Sequence, residues 1–521
     1  MAKYVLGRAL RGLLSVIIVV EVVMVLIYSC LDRNLVFAND PVFSKHKSNA
    51  QEVYKMRKWE EFGYLDYVSY EEYLSGQVTD PQVYEQAVKL GDVSVADNPV
   101  AAEYITRFTA EYEKDGYTVV RLNGKKKGNT TNYLEGGEPR LYACKDTPLI
   151  KRLWDYLTGL IQLDHIQAVE GDVGDRGLSF TWYDPVYGGR TFSPAVMGNG
   201  TYHKYLLYFD NRFPFLHQNF VTLRLGRSYS VNQGVDVYDT LTQEQGTRDM
   251  AQITYPSGNV EYSADDLHSA VYVPGSYENG DAVIRRNFVD DYTGVTTRKT
   301  GLSKLGYSFL IGILSVALAY ALAVPLGIRM ARRKDRLADK LGTLYIVFIM
   351  AVPSLAYIFL FKAVGQWAGL PVTFDMERPS WRMYVLPVLS LALPAAANLM
   401  KWLRRYMIDQ MNAEYVKFAR GCGLSEGHIF NRHVLKNAAI PMIHGIPAAV
   451  LGAMVGAIIT ERVYVVPGAG NLLTGAIHSY DNGAIVGITL FYAVISVVSV
   501  ILGDVLISAV DPRISFGSKT R

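Results

Sequence analysis

Glu414-Tyr-Val-Lys-Phe-Ala-Arg-Gly-Cys-Gly-Leu-Ser-Glu-Gly-His-Ile-Phe-Asn-Arg-His-Val-Leu-Lys-Asn-Ala-Ala-Ile-Pro441 is a polar, basic stretch set between two apolar runs. Ser425 is a good helix N-cap, so residues 426–437 are expected to form a short helix. Gly421 and Gly423 permit a sharp turn ahead of it, and Pro441 is expected to open the next apolar segment. A short surface helix hung between two connections of this kind can fill a groove on a partner and pass rigid-body motion to its neighbours. The same spacing also suits a generic amphipathic surface loop, and spacing alone leaves both open.

Outward from this stretch, six runs are long and apolar enough to cross a bilayer, which takes about 20 residues per helix. They are 10–31, 303–328, 341–364, 382–402, 440–463 and 484–510. The first is expected to be a retained helix rather than a secretory signal. Its apolar stretch from Leu13 to Leu31 exceeds the roughly 7–15 residues of a signal core, and no A-x-A-like site follows. Basic residues collect in the N-terminal tail (Lys3, Arg8, Arg11), in 329–340, in 401–436 and in the C-terminal tail (Arg513, Lys519, Arg521). With six spans all four lie on one side, which is therefore expected to be cytoplasmic. Topology accounts for these charges, and no nucleic-acid partner is expected.

The composition agrees with a chain of two unlike parts. Of 521 residues, 50% are apolar and 19% charged, and the mean hydropathy is only +0.10. Residues 32–300 hold 28 Lys/Arg against 37 Asp/Glu, whereas the remainder holds 24 against 12. The expected fold is an all-α polytopic membrane protein of six transmembrane helices with a large mixed α/β extracellular insert between helices 1 and 2. Its expected parts are 1–31 (cytoplasmic tail and first helix), 32–300 (insert) and 301–521 (helices 2–6, with the cytoplasmic loop 403–439). Within the insert, Leu149, Ile150, Leu153, Trp154, Leu157, Leu160 and Ile161 have helical spacing, and stretches near 178–193 and 250–274 alternate as strands do. Trp367, Trp381 and Trp402 are expected near span ends, where indoles favour the interface.

The absent motifs narrow the function. Nothing matches G-x-x-x-x-G-K-[ST], H-E-x-x-H or G-x-S-x-G, and three scattered cysteines offer no disulfide framework or zinc spacing. His203, His217, His428 and His433 make no ligand set. Asp504 lacks the second intramembrane aspartate that an aspartyl protease needs and is expected to be a paired carboxylate. No catalytic, cofactor or metal residue is assigned. Glu21, a carboxylate within the first span, has two readings: a residue of a translocation path or a hydrogen bond inside the bundle. Pro325, Pro353, Pro387, Pro394 and Pro447 can kink spans, and Gly452-x-x-x-Gly456 allows close helix approach.

The 414–441 stretch resembles the coupling segment of ABC-importer permeases in its peptide-importer form, A-R-A-K-G-L-S-x(n)-H-x-L-x-N-A-x-x-P. Ala419, Arg420, Gly423, Leu424, Ser425, His433, Leu435, Asn437, Ala438 and Pro441 match it, while Gly421 and Cys422 depart from it. Tyr4 to Leu13 resembles the N-terminal signature of the OppB/DppB branch. Leu225-Gly226-x-Ser228 resembles its external G-x-S segment, and Ala319 to Gly327 the end of its second span. Glu461-x-Val463 to Gly470 resembles its E-x-V-F-x-x-P-G-x-G segment, and Asp511-Pro512-Arg513 its terminal D-P-R. The long insert, with Tyr202 to Phe209, Phe213-Pro-Phe and His217-Gln-Asn-Phe-Val, is similar to the enlarged AmiC-type oligopeptide permeases of Gram-positive bacteria.

The resemblance implies a multi-pass cell-membrane subunit of the type I ABC importer permease fold. It implies partners: a second homologous permease, two ABC ATPase subunits, an extracellular lipid-anchored peptide-binding protein and membrane lipid. It implies that ATP is hydrolysed by the partners, and that Ala419, Arg420, Gly423, Leu424, Ser425, Glu426, Ile429, Arg432, His433, Lys436, Asn437 and Pro441 couple them to the spans. Oligopeptides are the expected substrate; dipeptides, nickel complexes or another small solute remain open. The insert has three readings: a dock for the binding protein, a lid over the external mouth, or a structural addition. Two rivals from other classes are weaker. A stand-alone secondary transporter would need ion-coupling carboxylates and internal repeats, and a sensor or adhesin needs no more than one or two spans.

Overall fold

In a computed structural model the described residues are 2–510, apart from 48, 89–98, 123–124, 128–129, 133–140, 166–168, 170–175 and 213–214. Helix α1 (Ala2–Cys30) buries Val16, Val20, Met24 and Ile27 on one face. Its other face exposes Leu6, Leu10, Leu14, Val22 and Leu26. Each such side chain left in water forgoes about 1.5–3 kcal/mol of burial, a cost that vanishes in hydrocarbon. This helix is built for a bilayer.

Strands and short helices occupy the chain between α1 and Lys304. Helix α2 (Asn49–Glu61) precedes strand β1 (Leu65–Ser69), and helix α3 (Pro99–Lys114) precedes β2 (Thr118–Arg121) and β3 (Leu141–Asp146). The three strands form an antiparallel sheet in the order β1-β3-β2, with Tyr67 opposite Cys144 and Val119 opposite Ala143. Tyrosines and phenylalanines fill both of its sides, among them Tyr67, Tyr70, Phe108 and Tyr142. Helix α4 (Leu149–Gly159) follows. It ends two residues short of the apolar periodicity, because Ile161 begins strand β4 (Ile161–Leu163).

The next four strands form an antiparallel meander: β5 (Gly177–Thr181), β6 (Ala195–Asn199), β7 (Tyr205–Phe209) and β8 (Leu216–Gln218). Strand β9 (Val221–Leu223) pairs back with β4. Two further ribbons pair Ala251–Thr254 with Val260–Ser263 and Asp265–Tyr272 with Tyr292–Thr297. The alternation near 250–274 is thus strand; in 178–193 only Gly177–Thr181 is, and Pro185–Tyr187 is a 3-10 turn.

The remaining helices are α5 (Lys304–Arg332), α6 (Leu337–Ala351), α7 (Ser354–Trp367), α8 (Val385–Met411), α9 (Glu414–Gly421), α10 (Glu426–His444), α11 (Ile446–Tyr464), α12 (Ala469–His478) and α13 (Asn482–Val510). Among the described residues four helical segments are each long and apolar enough to cross a membrane, and the bent pairs α6–α7 and α10–α11 bring the number to six if each pair is one span. Alanines 319, 323, 392, 396 and 397 line the contact of α5 with α8, where small side chains let backbones approach.

Several expectations need correction. The run 341–364 is not one helix: it breaks at Val352-Pro353 with a bend of 108°. Pro353 lacks a donor and drives Val352 to extended backbone (φ −88, ψ 130). Pro325 and Pro394 lie within continuous helices. Pro441 does not open a span, because the helix runs through it to His444 and bends by 43° at Gly445. Among the described residues nothing lies within 4 Å of the Gly452 Cβ position; Gly456's surroundings, Phe213-Pro214 and residues 511–521 lie outside the described residues. Close approach falls instead at Gly312, whose Cβ position is 3.3 Å from Met454, and at Gly327, 3.1 Å from Leu403. Trp367 and Trp381 stand at element ends, whereas Trp402 lies well inside α8.

Candidate functional site

The 414–441 stretch folds as two helical pieces around one tight turn. Helix α9 ends at Gly421, and Gly423 has φ +80, the left-handed backbone that favours glycine. Gly421 is the last helical residue and needs no such freedom. Ser425 caps α10, its Oγ accepting from the His428 N–H at 3.4 Å. Across the turn, Arg420 donates to both carboxylate oxygens of Glu426, at 2.6 and 3.2 Å. That bond raises the Arg420 guanidinium further above its ordinary value. Residues 429–434 have the wider π-helical turn, so α10 is one continuous rod from Glu426 rather than a separate short helix.

The rod is amphipathic. Ile429, Phe430, Val434, Ala438 and Met442 are buried together with Ala331 of α5, Leu403 and Met407 of α8, and Val416 and Ala419 of α9. Arg420, Gly423, Leu424, Ser425, Glu426, Arg432, Lys436 and Pro441 are exposed, while His433 and Asn437 are half-buried. Polar contacts tie the rod to α5: Arg332 hydrogen-bonds Asn431, its guanidinium lies 4.2 Å from the Phe430 ring centre, and the Tyr320 hydroxyl donates to the Met442 carbonyl at 2.8 Å. Behind it, Arg404 of α8 grips Asp339 of α6 with two bonds of 2.6 and 2.8 Å. Residues 426–434 thus pack against α5, α8 and α9.

Two further polar joints each involve one motif residue, Glu461 or Ser228, whose partners Ser308 and Asp481 belong to no motif. Glu461 is fully buried. It accepts from Ser308 Oγ at 2.6 Å and from the Asn471 N–H at 3.1 Å, while Ser308 Oγ accepts from the Ala469 N–H at 2.9 Å. Gly468 leaves the room this carboxylate needs, since a Cβ there would strike it, while a Cβ on Gly470 would first meet Ile458. Asp481, also fully buried, accepts from Ser228 Oγ and from the N–H groups of Tyr229, Ser230, Val231 and Ala484. It fastens the strand-rich segment to the start of α13. Gly483 and Gly487 let that segment's backbone lie close, their Cβ positions being taken by the carbonyls of Arg227 and Leu225.

Glu21 lies half-buried on α1 and has no hydrogen-bond or ion-pair partner among the described residues. Asp504 is paired, accepting from Arg8 at 2.8 Å and from the Tyr4 hydroxyl at 3.3 Å, which ties α13 to α1. A groove of about 270 Å³ runs between α5, α8 and α11, lined by Ser315, Tyr320, Asn398 and Gly452 among mostly apolar neighbours. Glu21 is not among its lining residues.

Several long apolar helices with exposed apolar sides, and two bent helix pairs beside them, define a multi-pass integral membrane protein. Residues 323–516 match the family described as "Binding-protein-dependent transport system inner membrane component". Over 525 aligned positions, covering 100% of this chain and 99% of the relative, the sequence is 35% identical to "Oligopeptide transport system permease protein AmiC" of Streptococcus pneumoniae. It is 29% identical to "Dipeptide transport system permease protein DppB" of Lactococcus lactis over 40% of this chain and 69% of that one. A solved chain of the MetNI methionine ABC transporter, 12% identical with a TM-score of 0.32, covers 39% of this chain and 93% of its own length. The chain belongs to the binding-protein-dependent permease family, the membrane subunits of ABC importers. It is not itself an enzyme, ATP hydrolysis in such importers residing in separate subunits.

Proposed function

We propose that this chain is one of two permease subunits of an importer that carries oligopeptides inward by alternating access. Full-length similarity to an oligopeptide permease, insert included, is the observation that carries the reading. Residues 1–31 supply a cytoplasmic tail and the first span, 32–300 an extracellular domain, and 301–521 the core permease with both chain ends cytoplasmic. A second permease, two ABC ATPases and an extracellular lipid-anchored peptide-binding protein complete the assembly.

Segment 403–439 is the coupling element in this reading. ATP-driven closure of the ATPases would push on the exposed turn 421–428, and the buried Ile429, Phe430 and Val434 would deliver that push to α5 and α8. Its amphipathic burial and the Arg332 contacts support this role. The chain's own work is mechanical: no bond is made or broken in it.

The test is peptide-stimulated ATPase activity of the whole assembly in lipid, with Gly423→Pro plus Arg432→Glu in this chain. Proline fixes φ near −65° and cannot adopt the +80 seen at Gly423. Loss of stimulation with the assembly intact supports coupling through this segment. Unchanged stimulation refutes it.

A further inference from the structure

A cavity of about 330 Å³ opens where the Cys30 end of α1 meets β1, α4 and the first turn of α13. That volume sits at the lower end of small-ligand clefts, roughly 300–1,000 Å³. Its wall is aromatic. Tyr229 stacks on Phe62 with ring centres 3.9 Å apart, and the Tyr28 and Tyr64 rings stand edge to face at 5.5 Å.

Arg152 of α4 is pressed against those rings. Its guanidinium carbon lies 3.7 Å from the Tyr28 ring centre and 4.0 Å from that of Tyr64. Covering the faces of a guanidinium leaves its N–H edge as the part able to bind a carboxylate. Other arginines of the same domain are spent on carboxylates: Arg33 on Asp146, Arg298 on Asp210. Arg152 forms no ion pair among the described residues. The same cavity is also lined by Lys151, Asp155 and Arg227 and by three further acids, Glu60, Glu61 and Asp66. Glu61 is taken by Lys58 at 2.6 Å, while Glu60 and Asp66 line the cavity and form no ion pair among the described residues.

We propose that this cavity binds a short free peptide, with its C-terminal carboxylate on Arg152 and its α-ammonium at Glu60 and Asp66. The inference rests on the peptide-import reading and gives the 32–300 domain a direct part in handling substrate. An occupied site would also touch Tyr229, whose N–H is one of the bonds to Asp481, so binding there bears on the joint to α13.

The full chain, co-purified with its partner permease and ATPases but without the binding protein, is titrated calorimetrically in nanodiscs with trialanine, its C-terminal amide and its N-acetyl form. Each lost charge-assisted bond is expected to weaken binding by about ten-fold or more. Arg152→Gln should abolish the preference for the free acid over the amide while leaving the preference over the N-acetyl form. Equal binding of acid and amide by the wild type, or no binding, overturns the proposal without needing any variant to fold. Uptake of trialanine by the complete importer is measured alongside. Uptake without binding in the cavity sinks this inference alone, and absence of uptake for trialanine and for longer peptides sinks the import reading itself. If Arg152→Gln leaves peptide binding unchanged but prevents the binding protein from docking, the cavity is a protein contact and the proposal fails.

Discussion

The Ser228 hydroxyl donates to the buried carboxylate of Asp481 at 2.6 Å, across 253 residues of sequence. Three successive backbone N–H groups, of Tyr229, Ser230 and Val231, converge on the same carboxylate. One acid thus holds a loop of the strand-rich segment in the conformation that seats it on α13.

Asp481→Ala strands those donors away from water, at about 1–3 kcal/mol for each group left unsatisfied. Amide exchange at 228–231 should accelerate by at least the lower of these figures, while exchange in α5 and α8 stays as in the parent. Unchanged protection at 229–231 would show that the loop is held by other contacts.

A methyl group on Gly468 has nowhere to go but into the Glu461 carboxylate. Gly468→Ala should therefore lower the thermal midpoint of the detergent-solubilised protein, by the roughly 1–3 kcal/mol typical of overpacking. Gly427→Ala, in open space on the exposed turn, is the control and should leave it unmoved.

Gly452 also faces open space, but within the groove between α5, α8 and α11. Gly452→Trp should reach the membrane and keep a thermal midpoint within about 2 °C of the parent's, as surface substitutions do. Peptide uptake should nevertheless fall, because the ring fills the groove. Loss of the partner permease on purification would instead mark the groove as a subunit contact.

In the strand-rich domain, burial disfavours the Asp210 carboxylate, but Arg298 at 2.7 Å and the Arg212 N–H outweigh it and hold the group below the ordinary carboxylate range. A group depressed in the folded state stabilises it fully above its unfolded value and loses that contribution as pH falls through the folded one. Strand exchange around Tyr208 should thus speed up only below about pH 4. Asp210→Asn should remove that acid-dependent component and leave protection lower throughout the neutral range.

Much of the candidate coupling segment was readable locally. Ser425 is a cap because its own side chain reaches the N–H three residues on, and Gly423 turns because its own φ is positive. Gly421 stays helical, because a glycine permits left-handed backbone without requiring it. Pro441 misled because the rule that proline starts helices is statistical. Here the bend is taken up at Gly445, and the Tyr320 hydroxyl donates to the Met442 carbonyl, within one turn of the proline.

The sequence by itself determined that this is a membrane protein of the permease family. Apolar run length is a property of consecutive residues, and the family motifs are short. Tertiary structure alone decided what those runs do: that 341–364 is broken, that Arg404 is spent on Asp339, that Glu461 closes on Ser308, and that Arg152 rests on two tyrosines. Arg404 and Asp339 are 65 residues apart, and Glu461 and Ser308 are 153. Periodicity reports which face of a segment is apolar; which buried charge meets which partner is set by how the segments pack.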